Sequence, residues 1–280
     1  MEPSTPTIGQ EARWQGLGTR VAASAALVPV VVGGAWLGGI WFSGLLAAIG
    51  IVMAWEWCAM VYPRNRWQFA LHAVAVIAAA FLSVPLALLA IVACWLGSGM
   101  AVLRAGRFGR SWRWVGVPYI ALPILALAVL RMDVAFGLVA VLWLFVAVWT
   151  ADVGAYFAGR LIGGPRLAPN ISPNKTWAGL GGAVAGAGLA AALVGYLAEL
   201  PALTVIVALG ATTGVIEQLG DLFESAAKRS FGVKDSGTLI PGHGGVLDRV
   251  DGLAFAAIAA VALGLWRGGL DHAASGFLAW

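Results

Sequence analysis

Apolar residues fall along this chain in blocks, with polar residues confined to short breaks between them. Nine such blocks can be read, at about 20–38, 41–61, 67–83, 85–103, 114–131, 134–160, 176–198, 201–224 and 250–268. Most hold roughly 20 residues, the length at which an α-helix rising about 1.5 Å per residue spans a hydrocarbon layer of about 30 Å. Strict alternation, the mark of half-buried strands, is missing, and the blocks are apolar on all sides rather than along one stripe. The pattern predicts an all-α polytopic membrane protein of about nine transmembrane helices. The first two blocks are split only near Gly38 and Gly39, and the third and fourth near Ser83 and Pro85. The stretch "MEPSTPTIGQEARWQGLGTR" ahead of the first block is unlike a secretory signal, so that block is expected to stay as a spanning helix. This gives a polar N-terminal segment (1–19), an N-terminal bundle of about five spans (20–131) and a C-terminal region of about four spans (132–280). The last region carries two polar loops, 161–175 and 225–249.

Composition agrees. Of the 280 residues, 61% are hydrophobic and 11% charged, against roughly 25% charged in soluble domains, and the mean hydropathy is +0.89. A water-soluble globule is excluded. The net charge of +4 does not point to a nucleic-acid partner, because the basic residues lie scattered through the breaks. Their distribution instead sets topology. With the N-terminus in the cytoplasm, the inner side receives Arg13 and Arg20, Arg64 and Arg66, Arg104 to Arg113, Arg160, Arg166 and Lys175, and finally Lys228, Arg229, Lys234 and Arg249. The outer side receives Arg131 and Arg267. This bias is the positive-inside pattern of an inner (cytoplasmic) membrane protein, with the C-terminus outside and both polar loops facing the cytoplasm. Trp36, Trp41, Trp67, Trp112 and Trp114 fall near block ends, where their rings suit the interface. Gly182 and Gly186, with Ala183 and Ala187, would let the seventh span pack closely on a neighbour. Cys58 and Cys94 lie inside apolar blocks and read as small core residues.

The candidate chemistry lies in carboxylates set within or beside the spans. A charge at the centre of a transmembrane helix costs roughly 2.5–3.5 kcal/mol on insertion scales, so such groups face a partner or a watery cavity. Glu56, between Trp55 and Trp57, reads as a structural or snorkelling acid. In "IEQLGDLFESAAKRS", Glu217, Asp221, Glu224, Ser225 and Lys228 follow one another at three- and four-residue steps, one polar stripe on a helix. In "WTADVGAYFAGRLIGG", Asp152, Tyr156 and Arg160 do the same. The proline-broken loop "PRLAPNISPNKT" brings Ser172, Asn174 and Lys175 to the start of the next span, where a phosphate can be met, although the glycines of a P-loop are missing. "PGHGGVLDRVDG" surrounds His243 with glycines that permit close backbone approach to a ligand, then supplies Asp248 and Asp251. Acids at several helix ends with bases on the linking loops suit a divalent cation held through phosphate oxygens, with Lys and Arg neutralising the remaining phosphate charge. From the residues alone the chemistry is metal-dependent transfer between a phosphorylated cytosolic ligand and a membrane-resident one.

"SAAKRSFGVKDSGTLIPGHGGVLDRVDG" (225–252) resembles the signature of the phosphatidate cytidylyltransferases, or CDP-diacylglycerol synthases, and the three upstream blocks "WTADVGAYFAGRLIGG", "ISPNKT" and "LGDLFES" are similar to that family's other shared segments, in the same order. Ala178 and Gly252 stand where members often carry larger polar residues. The resemblance implies that CTP and phosphatidic acid react to give CDP-diacylglycerol and pyrophosphate by direct attack of the lipid phosphate on the α-phosphorus. It implies Mg²⁺, with room for a second cation, on Asp221 and Asp248, and Glu224 as a substitute ligand. Lys228, Asp251 and His243 would join Asp221 and Asp248 in the catalytic set. Lys175, Ser172, Arg229, Lys234, Asp235 and Arg249 would hold the nucleotide or the lipid headgroup. The resemblance also allows a homodimer. A CTP-dependent lipid kinase is the near rival, needing the same metal and bases, and a secondary transporter is the distant one.

Overall fold

Helices follow wherever the chain is apolar and its backbone groups must find partners within the segment. In the computed structural model, which describes residues 17–63, 65–104, 110–239 and 244–280, they are α1 (Leu17–Leu37), α2 (Gly39–Val61), α3 (Arg66–Phe81), α4 (Val84–Arg104), α5 (Arg110–Met132), α6 (Gly137–Leu161), α7 (Trp177–Leu197), α8 (Leu203–Ser230), α9 (Leu247–Gly268) and α10 (Ala273–Leu278). Six of these, α2 and α5 to α9, are long and apolar enough to cross a membrane. The apolar stretches described in α1, α3 and α4 are shorter. The protein is thus a helical, polytopic membrane protein whose first nine helices coincide with the nine apolar blocks. The polar residues 1–16 and His243 lie outside the described residues.

Two local departures from the sequence expectation matter. The loop between α6 and α7 is not wholly irregular: β1 (Arg166–Ala168) and β2 (Ser172–Thr176) pair antiparallel around a turn at Pro169 and Asn170. Helix α8 continues to Ser230, and α9 begins at Leu247, so the second polar loop is shorter than composition suggested. Trp112 and Trp114 are partly buried and have partners within the protein. The Trp112 indole donates to Ser230 Oγ at 2.8 Å with its ring 5.2 Å from Phe223, and Trp114 packs on Trp95. Trp36, Trp41 and Trp67 are strongly exposed at helix ends, as expected.

The core runs through α5 and α6, where Ile120, Leu130, Trp143 and Leu144 are fully buried. Small residues then draw α7 against two partners at once. Gly182 lies against Gly154 of α6, and a Cβ at Gly186 would come 2.5 Å from the Thr150 carbonyl. Ala183 and Ala187 line the opposite side, where a Cβ at Gly214 of α8 would meet the Ala183 carbonyl at 2.7 Å. One small-residue stripe was legible in the sequence; it serves two interfaces.

At the end of the bundle remote from the acidic helix ends, charged groups cap helices. Arg131 donates to the Ala35 carbonyl at 2.7 Å, closing α1. Arg267 donates to the Gly276 carbonyl at 2.5 Å and stacks over Trp280. Asp133, only 2% exposed, accepts from the backbone N–H of Ala135 (2.9 Å), Phe136 (3.2 Å) and Ser275 (2.7 Å), tying the α5–α6 turn to α10. Burial raises its pKa, but the Ser275, Phe136 and Ala135 donors outweigh that and hold the carboxyl below its ordinary range. Asp133→Ala leaves three donors unpaired and is expected to cost about 1–3 kcal/mol at neutral pH. Because the folded pKa is depressed, the contribution is present above the ordinary aspartate value of about 3.9 and fades as pH falls through the folded value. Thermal unfolding in detergent should show wild type and variant converging only at acid pH.

Candidate active site

Helices α8 and α9 meet on bare backbone. A Cβ at Gly220 would sit 2.5 Å from the Asp251 carbonyl, and one at Gly252 would sit 2.6 Å from Glu217 Cγ. Glu217 therefore occupies the room a larger residue at 252 would need. This contact carries the two acid-bearing turns to one place: Asp251 lies within electrostatic reach of Asp221 on α8 and of Asp152 on α6. The polar stripe of α8 is real and largely enclosed, with Glu217 1%, Glu224 0% and Lys228 8% exposed.

Two lysines, in three ion pairs, organise it. Lys175, near the end of strand β2 rather than on a helix, reaches Asp221 Oδ2 at 2.6 Å and Gln218 Oε1 at 2.8 Å. Thr176 beside it caps α7 by accepting from the Gly179 amide at 3.0 Å, which fixes where Lys175 starts. Lys228 donates to Glu224 Oε2 at 2.5 Å and to Asp248 Oδ1 at 2.6 Å. Asp248, in the first turn of α9, also accepts from the Ser236 amide (3.0 Å), Ser236 Oγ (3.0 Å) and the Gly245 amide (2.8 Å).

These groups surround a cavity of about 800 Å³. Asp152, Asp221, Lys228, Asp235, Asp248, Arg249 and Asp251 form its polar part. Phe42, Leu46, Met53, Leu127, Phe145 and Trp149 are among the apolar side chains that form the rest. Its walls come from α1, α2, α5, α6, α8 and α9, so both halves of the chain build it. Five carboxylates face two cations on these walls, a formal excess of three negative charges (5 − 2). Counting Lys175 and Glu224 through their ion pairs leaves the excess unchanged (6 − 3).

The structure therefore brings together Asp221, Asp248, Asp251, Lys228, Asp235 and Arg249, with Lys175 joined through Asp221. Glu224 lies behind Lys228, away from the open space. Ser172 and Arg229 are on the flank: Arg229 donates to the Val233 carbonyl at 3.1 Å and to the Ile171 carbonyl at 3.4 Å, tying the end of α8 to the hairpin. Lys234 is exposed in the loop after α8. Of the stripe on α6 only Asp152 enters the cavity, because Arg160 turns outward and donates to the Tyr156 hydroxyl at 2.8 Å. Among the described residues no group of three or more His, Cys, Asp or Glu is arranged to hold a metal unaided.

Sequence reasoning left Glu56 open between structure and snorkelling. It is 1% exposed and accepts from the backbone N–H of Val246 (2.9 Å) and Leu247 (2.8 Å) at the start of α9. The signal available was a lone acid inside an apolar block; its partners lie too far along the chain for spacing to reveal them.

Residues 18–265 match the model of the Cytidylyltransferase family. A Brucella suis protein named phosphatidate cytidylyltransferase is 39% identical over 244 residues, 86% of this chain and 90% of its own length. One of the same name from Pseudomonas aeruginosa is 36% identical over 267 residues, 89% of this chain and 97% of its own. In Bacillus subtilis a third is 43% identical over 121 residues, 43% of this chain and 45% of its own.

Proposed function

Because the chain belongs to the cytidylyltransferase family, we propose that it transfers the cytidylyl group of CTP to phosphatidic acid, giving CDP-diacylglycerol and pyrophosphate. The observation that carries this is the two-part cavity, which has a charged end for phosphates and an apolar end for acyl chain within one space. A phosphatidate oxygen attacks the α-phosphorus of CTP, forming the new P–O bond as the bond to the pyrophosphate oxygen breaks. The work left to the protein is alignment and charge stabilisation. Lys228 and Arg249 hold phosphate oxygens, and Lys175 is available from beside Asp221 at the edge of the site. Asp248 and Glu224 keep Lys228 charged and aimed.

The formal negative excess would repel two anionic substrates, which supports a requirement for divalent cation. Of the carboxylates the resemblance implied for the cation, Asp248 and Glu224 are engaged by Lys228, Ser236 and the Gly245 amide, so Asp221, with Asp251 and Asp152 near it, would hold Mg²⁺. When bound, it would orient the triphosphate and offset charge on the leaving pyrophosphate. The protein is read as a nine-span protein of the cytoplasmic membrane, with its N-terminus and active site on the cytoplasmic side. The crowding of basic residues at that end and the capping roles of Arg131 and Arg267 at the other support this topology. A homodimer is the proposed assembly.

The test is an assay of purified protein with phosphatidic acid, Mg²⁺ and CTP labelled at the α-phosphate. Label should enter the lipid phase, with one pyrophosphate released per lipid, and a chelator should stop both. Label retained in CDP would instead mark a lipid kinase and end the proposal.

A further inference from the structure

Glu56 belongs to α2, in the half of the chain without the signature motifs, yet it is wired into the charged end of the cavity. Its Oε1 takes the Val246 amide, while its Oε2 takes the Leu247 amide and Ser236 Oγ, the last at 3.2 Å. Ser236 Oγ lies 3.0 Å from Asp248 Oδ2 as well, and the Ser236 amide donates to the same carboxylate. Asp248 in turn holds Lys228. Two glycines of the loop are seats for the Glu56 side chain: a Cβ at Gly237 would come 2.7 Å from Oε1, and one at Gly245 would come 2.6 Å from Oε2. Glycine at 245, which the sequence suggested would let backbone approach a ligand, instead lets backbone approach Glu56. The position also suits a carboxylate electrostatically, since both amides it accepts open a helix.

We propose that Glu56 is a positioning residue for the transfer reaction, fixing Ser236, Val246 and Leu247 so that Asp248 presents Lys228 to the phosphates. It touches no substrate. The inference rests on the proposed reaction for its kinetic part and on geometry alone for its ordering part. A carboxylate is required because a backbone N–H meets each of its oxygens; a carboxamide at 56 would set its N–H against the amide of Val246 or of Leu247. Shortening by one methylene in Glu56→Asp would withdraw the acceptor from α9.

The experiment compares wild type, Glu56→Gln, Glu56→Asp, Ser236→Ala and the Glu56→Gln/Ser236→Ala double variant in detergent. Turnover and amide hydrogen exchange are both followed. Glu56→Gln is expected to lower kcat at least 10-fold, with KM for CTP and for phosphatidic acid changed less than threefold. Exchange across 236–248 should quicken at least 10-fold while the protection of α5 and α6 stays at the wild-type level. Ser236→Ala should lower kcat by a smaller factor, and the double variant should fall no more than about twofold below Glu56→Gln, because both act through Asp248. Glu56→Asp should resemble Glu56→Gln. Exchange in 236–248 that stays at the wild-type rate in Glu56→Gln overturns the inference, as does a multiplicative loss in the double variant. Should Glu56→Gln fail to fold, Ser236→Ala with wild-type kcat overturns it equally. Wild-type protein that makes no CDP-diacylglycerol removes the reaction reading, while the exchange arm still decides whether Glu56 orders the segment.

Discussion

Asp221→Asn is expected to lower kcat at least a hundredfold while the protein still folds and inserts. Asparagine keeps the shape of the side chain. Lys175 retains Gln218 Oε1 at 2.8 Å as a partner, so the ion pair is not needed to hold the hairpin. What is lost is charge on a carboxylate that is 30% exposed, facing the cavity beside Asp251. Removing one preorganised electrostatic group from a transfer site typically costs about 10²–10³ in kcat, and loss of cation affinity adds to it. The assay with α-labelled CTP measures the effect, and the detergent melting curve shows whether the fold persists. A variant that folds and keeps more than a tenth of wild-type kcat would rule out Asp221 as a group acting on the substrates or their cation.

Lys228→Met carries the largest stability loss. The ammonium lies between Glu224, which is fully buried, and Asp248, whose side chain is 7% exposed. Taking it away leaves two carboxylates enclosed together, and breaking a buried pair in this manner costs about 3–5 kcal/mol. Glu224 has no reserve: its other oxygen, Oε1, has no hydrogen-bond partner among the described residues. Melting temperature in detergent should fall steeply. Adding Glu224→Gln should recover part of it, since a neutral side chain then fills the space. If Lys228→Met melts with wild type, the enclosed ion triad does not exist as described.

Much of the fold was open to reading because a bilayer imposes one rule on every spanning segment: apolar outside, hydrogen-bonded within. That rule locates α1 to α9, and the arginine asymmetry is what carries the proposed orientation. The hairpin of β1 and β2 escaped because Pro165, Pro169 and Pro173 interrupt any alternation of side chains. The single turn of α10 is too short to carry a period. Within the site, Asp221, Asp248, Asp251 and Lys228 stood out because three- and four-residue steps on a helix are a local property. The roles of Glu56 and, at the far end of the bundle, of Asp133 did not, because they depend on backbone amides 190 and 191 positions away in one case and 142 in the other. Arg229, which the resemblance implied for nucleotide or headgroup, has backbone partners in Ile171 and Val233 that sequence spacing does not reveal. Apolar side chains from α1 and α2 complete the cavity, and nothing in their spacing distinguishes them from residues facing lipid.

The contact of α8 with α9 at Gly220 and Gly252 has a bearing on how such a protein can diverge. Where two main chains touch, the spacing of the carboxylates on either side is dictated by peptide geometry, and no neighbouring side chain can loosen or retune it. Lipid-facing positions can therefore drift freely among Leu, Val, Ile and Phe to suit different membranes, and the reacting groups keep their separation throughout.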